Sequence, residues 1–248
     1  MSGDAIVIHR RGQVATITLS RPSESNALGP ELAVRLADAC AALADDDSRV
    51  VVLTGAGKAF ATGGEGSEAD GHPAVPATPT PAAAVAALRK PTIAWINGDC
   101  LDRGLEMALA CDVRIAAPTA RLGLRAVSQG WLPQDGGTQR LPRLVGRGHA
   151  LRLLLTGDVI DAQEALRIGL VQAVGDRRTV EELADRIAAA APIAVAYAKE
   201  AVRQGEDLAL EQGLRLEADL SILLHGTADR AKGLESFAAG TRPNHEGR

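Results

Sequence analysis

The spacing of hydrophobic residues changes from a strand pattern to a helix pattern within the first fifty residues. Residues 5–20, AIVIHRRGQVATITLS, hold two β-branched runs around the Arg11-Gly12 pair, which predicts a β-hairpin. Residues 30–44 then place apolar side chains at helical spacing, and the apolar run VVVLTG at 50–55 is typical of a buried strand. A β-then-α-then-β order therefore begins in this part of the chain.

The same alternation continues in residues 93–116, IAWINGDCLDRGLEMALACDVRIA. This stretch predicts a strand, a tight polar turn, a short apolar helix and a second strand, with β-rich runs at 92–97 and 112–116 on either side of the helix. Alternating helices and strands favour an open, largely parallel sheet. The predicted fold class is therefore α/β.

The chain becomes mainly helical after residue 135. Asp161 with Glu164, and Thr179 with Glu182, have the spacing of a capping box and predict two helix starts. Three further helices are predicted before the end of the chain, and they cover residues 193–203, 208–224 and 228–239. Residues 1–190 are therefore interpreted as an α/β core, and residues 191–248 as a C-terminal helical subdomain that serves oligomerisation.

A proline-rich segment interrupts the alternation at residues 72–81. Its prolines are incompatible with a regular strand or helix, so the pattern predicts a mobile surface loop. Near the C-terminus, LALEQGLRLEADLSILL at 208–224 is apolar over a wide face. Such a face needs a cover, which points either to oligomerisation or to packing over a substrate site.

Composition narrows the functional classes. Of the 248 residues, 46% are hydrophobic but only 2% are aromatic, so the core must be built from Ala, Leu, Val and Ile. A net charge of −4 without a basic cluster argues against nucleic acid or an anionic membrane as a partner. The chain shows no signal-peptide core and no apolar run near the ~20 residues of a membrane span, so a cytoplasmic location is expected. The five histidines are scattered and give no metal-ligand spacing, and the three cysteines lie in apolar surroundings typical of small buried hydrophobes, not of a disulfide framework.

Glu106 is the first candidate catalytic group. It lies near the start of the predicted apolar helix, between Leu105 and Met107, where loss of solvation would raise its pKa and suit it to proton transfer. The alternative is a carboxylate that only complements the helix dipole. The glycine-rich TGAGKAF at 54–60 fails the dinucleotide and P-loop patterns, and AVSQG around Ser128 lacks the first glycine of a nucleophile elbow.

Five ordered motifs carry a resemblance over nearly the whole chain. They are RPSESNAL (21–28), VVLTGAGKAFATGGEG (51–66), KPTIAWINGDCLDRGLEMALACDVRIA (90–116), LPQDGGTQRLPRLVGR (132–147) and LTGDVIDAQEALRIGLVQAV (155–174). Together they resemble the enoyl-CoA hydratase/isomerase (crotonase) family. The resemblance implies a crotonase-like fold of repeated ββα units with a C-terminal helical region, a homotrimer or dimer of trimers, and an acyl-CoA thioester as substrate. No cofactor is implied beyond the coenzyme A of that thioester.

The resemblance also assigns roles to individual residues. The backbone N–H groups of Gly64 and Arg103 are expected to form an oxyanion hole for the thioester oxygen, and Glu106 to transfer a proton next to the carbonyl. The remaining residues expected at the substrate and CoA site are Ser25, Ala61, Gly63 and Gly66.

Several positions depart from the family pattern. Ala126 stands where family hydratases carry a second glutamate, so hydration by two carboxylates is in doubt. Asp135 is a candidate replacement as acid or base, and the alternative is an Asx-turn residue that fixes the bend before Gly136. Arg103 replaces the usual glycine, and its side chain either narrows the pocket or meets an anionic group. Glu24 and Ser25 stand where a basic residue often helps to hold the CoA phosphates.

Three hypotheses remain at this stage. The working prediction is an enzyme that uses Glu106 for hydration or double-bond migration of an enoyl-CoA, because one carboxylate is sufficient for migration. A non-catalytic acyl-CoA-binding homologue is the second hypothesis. The third is a relative that cleaves C–C bonds or decarboxylates, in which Arg103 would meet a substrate carboxylate.

Overall fold

The computed structural model describes residues 4–63, 80–241 and 243–248. The strands found in these ranges are β1 (Ile6–Arg11), β2 (Val14–Leu19), β3 (Val50–Gly55), β4 (Ala59–Ala61), β5 (Thr92–Ile96), β6 (Asp99–Leu101), β7 (Val113–Ala116), β8 (Arg121–Gly123), β9 (Val159–Asp161) and β10 (Ala173–Val174). The helices are α1 (Pro30–Ala44), α2 (Pro81–Ala86), α3 (Arg103–Ala110), α4 (Gly137–Thr156), α5 (Ala162–Arg167), α6 (Arg177–Ala188), α7 (Pro192–Gly205), α8 (Leu210–Leu224) and α9 (Ala228–Ala238). The predicted α/β class is confirmed.

The strands form two sheets. The larger sheet has the order β1-β2-β3-β5-β7-β10, and every neighbouring pair except β1-β2 is parallel. The predicted hairpin is therefore confirmed, as is the largely parallel sheet. The smaller sheet, β4-β6-β8-β9, is absent from the sequence interpretation. Its strands have only three residues each, and β6 lies inside the stretch that was interpreted as a polar turn.

Successive ββα units divide their two strands between the sheets. In the units β3-β4-α2, β5-β6-α3 and β7-β8-α4, the first strand joins the larger sheet and the second joins the smaller one. Each helix therefore follows a strand of the smaller sheet. As a result, the start of α3 lies beside β4, where residue 104 packs directly on the backbone of Ala61.

The two faces of the larger sheet are covered by different apolar clusters. One face packs in the main core, which includes Leu36 of α1, Leu53 of β3 and Leu105 of α3. The other face, with Val52 and Ile93, is covered by α6. Ala, Leu, Val and Ile make up most of both clusters, as the low aromatic content predicted.

The predicted helix starts are confirmed in one case and wrong in the other. Asp161 caps α5 by accepting a hydrogen bond from the backbone N–H of Glu164. The second helix does not begin at Thr179. Asp176 is the N-cap of α6, and its carboxylate accepts the Thr179 N–H at 3.1 Å. The aspartate three residues earlier was the stronger capping signal, because a carboxylate at the N-cap also interacts favourably with the helix dipole.

The proline-rich prediction falls largely outside the described residues, because residues 64–79 are not described. The last residue of that segment, Pro81, begins α2. The predicted C-terminal helices are confirmed as α7, α8 and α9, and within α8 only Leu220 is buried. None of the helices in the described ranges combines the length and apolarity that crossing a bilayer requires.

We predict that Gly104→Ala lowers the free energy of unfolding by about 1–3 kcal/mol. A Cβ at residue 104 would lie 2.1 Å from the carbonyl oxygen of Ala61, so α3 would have to move away from β4. Urea denaturation measures the change. Gly148→Ala in α4 is the matched control, because its Cβ would meet no atom within 4 Å and the substitution should be neutral or stabilising. Equal stability changes in the two variants would contradict this close packing.

Candidate active site

The turn between β3 and β4 is fixed by two asparagines from distant parts of the chain. Asn26 is fully buried, and its Nδ2 donates to the carbonyl oxygens of Ala56 at 3.0 Å and Ala59 at 2.8 Å. The Asn97 Oδ1 accepts the backbone N–H of Gly55 at 3.1 Å. These side chains satisfy turn groups that no strand partner reaches, and they set the direction in which β4 leaves the larger sheet.

The end of β4 lies against the segment that contains Ser25. The Leu28 N–H donates to the Thr62 carbonyl at 3.1 Å, and Leu28 and Gly63 form an isolated parallel bridge. The Thr62 hydroxyl also contacts the Ser25 carbonyl oxygen at 3.4 Å. Three of the predicted substrate-site residues, Ser25, Ala61 and Gly63, therefore lie on adjoining segments of chain.

Two other predicted site residues, Gly64 and Gly66, lie outside the described residues. The second predicted oxyanion donor, the N–H of Arg103, belongs to the first residue of α3. The first four N–H groups of a helix have no acceptor within the helix, and they carry its partial positive charge. The start of α3 therefore presents donor groups at the end of β4.

Glu106 lies in the first turn of α3 and is only 2% exposed. Its Oε1 accepts hydrogen bonds from the backbone N–H groups of Asp135 at 2.7 Å and Gly137 at 2.8 Å. Within the described part of the chain, Oε2 accepts none. The carboxylate is thus held through one oxygen at the start of α4.

Gly137 is required for this arrangement. A Cβ at that position would lie 2.8 Å from the Pro133 Cβ and 3.1 Å from the Glu106 Oε1. Gly136 before it has a φ of 100°, a conformation that favours glycine. The paired glycines therefore let the backbone turn tightly and bring its N–H groups to the Glu106 carboxylate.

Opposing effects act on the pKa of Glu106. Burial raises the pKa above its usual 4.5, because the charged form loses its hydration. The hydrogen bonds from Gly137 and Asp135 and the positive charge of Arg103 act in the other direction and lower it, but burial dominates. A raised pKa brings a carboxyl group closer to neutral pH, where it can both accept and return a proton.

Asp135 lies next to Glu106 along this network, but its carboxylate is directed to α2. Oδ2 accepts the Ala82 N–H at 2.7 Å, and Oδ1 accepts a hydrogen bond from the Thr80 hydroxyl. Burial raises the Asp135 pKa, while the bonds from Thr80 and Ala82 lower it. Asp135 is buried, and it ties the start of α2 to the start of α4.

Ala126, at the position of the second glutamate, begins a 3₁₀ turn at Ala126–Gln129. The preceding residue, Arg125, is paired with Asp102 by hydrogen bonds and an ion pair of 2.6 Å. This pair was missed by the sequence analysis. An aspartate just before a helix suggests an ordinary N-cap, yet Asp102 makes no capping hydrogen bond with α3. Asn26 was quoted within a motif, but its role in holding the turn was also missed.

No group of three or more His, Cys, Asp or Glu side chains in the described ranges has the arrangement of a metal site. The chemistry of the site, as far as it is described, rests on one buried carboxylate and on backbone N–H groups at the starts of α3 and α4.

Comparison with known proteins agrees with this architecture. Residues 9–248 match the sequence profile described as enoyl-CoA hydratase/isomerase. The chain is 39% identical to a 2,3-dehydroadipyl-CoA hydratase of Escherichia coli, over 98% of this chain and 99% of that protein. It is 38% identical to an (E)-benzylidenesuccinyl-CoA hydratase of Thauera aromatica, over 98% of this chain and 99% of that protein.

A solved structure gives the same result for the fold. The crystal structure of an enoyl-CoA hydratase from Bacillus anthracis superposes with a TM-score of 0.93 at 37% identity, and the match covers 99% of this chain and 100% of that one. The chain belongs to the enoyl-CoA hydratase/isomerase (crotonase) family, whose members act on acyl-CoA thioesters, and it has the crotonase fold. It is an enzyme of that family.

We predict that Glu106→Gln makes the protein more stable than the wild type at pH 7, and that this difference shrinks as the pH falls. Because the pKa of Glu106 is raised in the folded state, this residue binds more protons in the folded protein than in the unfolded chain at pH values above 4.5. Its contribution to stability therefore falls as the pH rises through that range, whereas a neutral glutamine makes no such change.

Chemical denaturation at several pH values between 4.5 and 8 measures this difference. Glu217→Gln on the exposed face of α8 is the matched control and should leave the pH dependence as it is. A Glu106→Gln variant with the same pH dependence as the wild type would show that burial does not raise the pKa of Glu106.

Proposed function

We propose that the protein catalyses proton transfer on an enoyl-CoA thioester, with Glu106 as both base and acid. The observation that carries this proposal is the Glu106 carboxylate, buried and held through Oε1 by two backbone N–H groups. A carboxylate fixed in this way keeps its position while it gains and loses a proton. Ser25, Ala61, Gly63 and Gly66 are proposed to line the substrate and CoA site.

The thioester oxygen is proposed to lie between the N–H groups of Gly64 and Arg103. Removing a proton next to a thioester carbonyl places negative charge on its oxygen. Preorganised backbone donors stabilise that charge, and loss of one such donor typically costs ~3–4 kcal/mol in the transition state. The location of Arg103 at the start of α3 supports its part in this site, because the helix dipole adds to the effect.

Among the reactions of such a thioester, double-bond migration is best supported. Glu106 would take a proton from C2 of a 3-enoyl thioester, and the electron pair would delocalise onto the thioester oxygen as a dienolate. The same carboxyl group would return the proton to C4 and give the conjugated 2-enoyl thioester. One carboxylate suffices for this sequence, which fits Ala126 at the second glutamate position.

Hydration of a 2-enoyl thioester is the second candidate. It is favoured by the names of the relatives, among them the hydratases of Escherichia coli and Thauera aromatica. Hydration adds the hydroxyl of a water molecule at C3 and a proton at C2, so a group must take a proton from the water as it attacks. Asp135 remains the candidate for that role, although both of its carboxylate oxygens already bind the start of α2.

We predict that the wild type converts 3-hexenoyl-CoA to the conjugated 2-enoyl thioester, and that Glu106→Gln lowers kcat by about 10²–10⁴-fold. Glutamine keeps an acceptor for both N–H groups but cannot exchange the proton. Ultraviolet absorbance follows conjugation of the thioester, and Glu217→Gln serves again as the exposed control. Equal rates for wild type and Glu106→Gln would remove Glu106 from the mechanism. Tight binding of acyl-CoA without turnover of any enoyl-CoA would contradict the proposed reaction.

The Asp135→Asn variant distinguishes the two reactions when both are measured. If Asp135 activates water, the rate of crotonyl-CoA hydration, measured by mass spectrometry, should fall about 10²-fold or more, while the rate of double-bond migration is largely kept. If Asp135 only holds α2, both rates should change together, and the free energy of unfolding should fall by about 1–3 kcal/mol.

We also propose that the protein forms a homotrimer or a dimer of trimers through its C-terminal helices. α8 and α9 expose large apolar side chains that a single chain leaves in water, namely Leu210, Leu214, Ile222, Leu223, Leu234 and Phe237. Phe237 alone is 87% exposed. Large apolar side chains exposed in this number on two consecutive helices support a protein–protein contact there.

We predict that Leu214→Glu combined with Phe237→Glu shifts the protein to smaller species, because the charges would be buried at the interface at a cost of several kcal/mol each. Light scattering after size-exclusion chromatography measures the mass. Val34→Glu, at an exposed apolar residue of α1 outside the C-terminal helices, is the control. A wild type that is monomeric at micromolar concentration would contradict the proposal.

A further inference from the structure

Asp102, the residue before α3, has a backbone conformation that an aspartate rarely adopts. Its φ is 51° and its ψ is −120°, the angles of the first central residue of a type II′ turn, where glycine is preferred. A residue other than glycine keeps such a backbone conformation only where its surroundings hold it there. The hydrogen bonds of Asp102 therefore indicate the role of this conformation.

Both backbone groups of Asp102 have partners. Its N–H donates to the Gly123 carbonyl at 2.9 Å, and its carbonyl accepts the N–H of Glu106 at 3.0 Å. Because the peptide bond is planar and trans, the N–H of Arg103 points opposite to that carbonyl. The carbonyl points into α3, so the Arg103 N–H points out of the helix start.

The carboxylate of Asp102 is held by Arg125. Oδ1 accepts the Arg125 backbone N–H at 2.6 Å, and Oδ2 accepts from its Nε at 3.0 Å and its Nη2 at 2.6 Å. Charge-assisted bonds of this two-pronged kind fix orientation as well as distance. Arg125, which lies between β8 and the 3₁₀ turn, thus holds the Asp102 side chain and with it the strained Asp102 backbone.

Without the bonds to Arg125, Asp102 can adopt another backbone conformation. Aspartate tolerates the left-handed α region, where ψ is about +47°. Reaching it from −120° rotates ψ by about 170° and turns over the peptide between residues 102 and 103. The carbonyl oxygen would then replace the Arg103 N–H at the helix start and repel an anionic oxygen instead of binding it.

The Asp102 side chain also packs against Gly63, the described residue that follows β4 and Thr62. A Cβ at Gly63 would lie 3.2 Å from the Asp102 Cβ. Asp102 therefore contacts the chain neighbour of Gly64, the other residue proposed to supply a donor.

We propose that the Asp102–Arg125 pair is a positioning device that keeps the Arg103 N–H directed at the thioester oxygen. This inference rests on the proposed function, because it assigns a task to residues behind that same site. Neither side chain takes part in proton transfer. Asp102 selects the peptide orientation, and Arg125 keeps Asp102 from relaxing.

The test uses glycine at position 102, because glycine adopts this conformation without help from a side chain. Arg125→Ala is expected to lower kcat by about 10-fold or more in the wild-type background, towards the 10²–10³-fold loss of an oxyanion donor. In the Asp102→Gly background the same change should lower kcat by less than about 3-fold, because no strained residue remains to be held. Asp102→Ala, strained and unheld, should have a kcat about 10-fold below that of Asp102→Gly.

Two further measurements separate positioning from a structural role. KM should change much less than kcat in Arg125→Ala, since the effect falls on charge that develops in the transition state. When 2,4-hexadienoyl-CoA binds to the wild type, its absorbance should shift to the red. The shift should be smaller in Arg125→Ala, and the double variant Asp102→Gly/Arg125→Ala should show the full wild-type shift. Arg125→Gln is the second variant should Arg125→Ala fold poorly, and Arg121→Ala on the exposed side of β8 is the control.

Rescue of Arg125→Ala by Asp102→Gly in both kcat and absorbance supports the proposal. Equal losses in the two backgrounds overturn it, because they would mean that Arg125 acts on the substrate or on the fold and not through Asp102. A wild type that neither turns over nor polarises an enoyl-CoA thioester overturns the proposed function itself, and that result is recognised before any variant is compared.

Discussion

The hydrogen bonds between the Glu106 carboxylate and the start of α4 are the interaction on which the rest of the site depends. They join an acid from one ββα unit to two backbone N–H groups of the next, from Asp135 and Gly137. The bonds fix one carboxylate oxygen and offset part of the cost of burying the charge. The remaining cost still raises the pKa of Glu106. A fixed acid with a raised pKa is what proton transfer at a carbon atom needs.

Backbone geometry is as important here as side-chain chemistry. Gly104 lets α3 pack on β4, and Gly137 lets the α4 backbone reach Glu106. Asp102 provides the third special backbone position, with a positive φ that its neighbours enforce. At Gly137 a main-chain N–H group binds the Glu106 carboxylate, whereas Gly104 and Asp102 shape the start of α3, where the proposed oxyanion donor Arg103 lies.

The carboxylates around this site have separate tasks. Glu106 is buried with one oxygen outside its hydrogen bonds to the described residues, and it is the proposed proton carrier. Asp135 uses both oxygens at the start of α2, and Asp102 uses both on Arg125. Asp135, a catalytic candidate in the sequence, and Asp102, which the sequence analysis did not single out, are thus engaged in holding neighbouring segments. The tasks of the three carboxylates differ because their hydrogen-bond partners differ.

The sequence by itself determined the local elements and the acid. Hydrophobic spacing predicted the hairpin, α1, β3 and the helix that carries Glu106, and the capping signal at Asp161 predicted the start of α5, because these patterns depend on neighbours within a few residues. Only the tertiary structure decided the smaller sheet and the contacts of Asp135 with α2 and of Asp102 with Arg125. Strands of three residues have too few side chains to show a period, and hydrogen bonds between residues 23 to 53 positions apart leave no mark in local spacing.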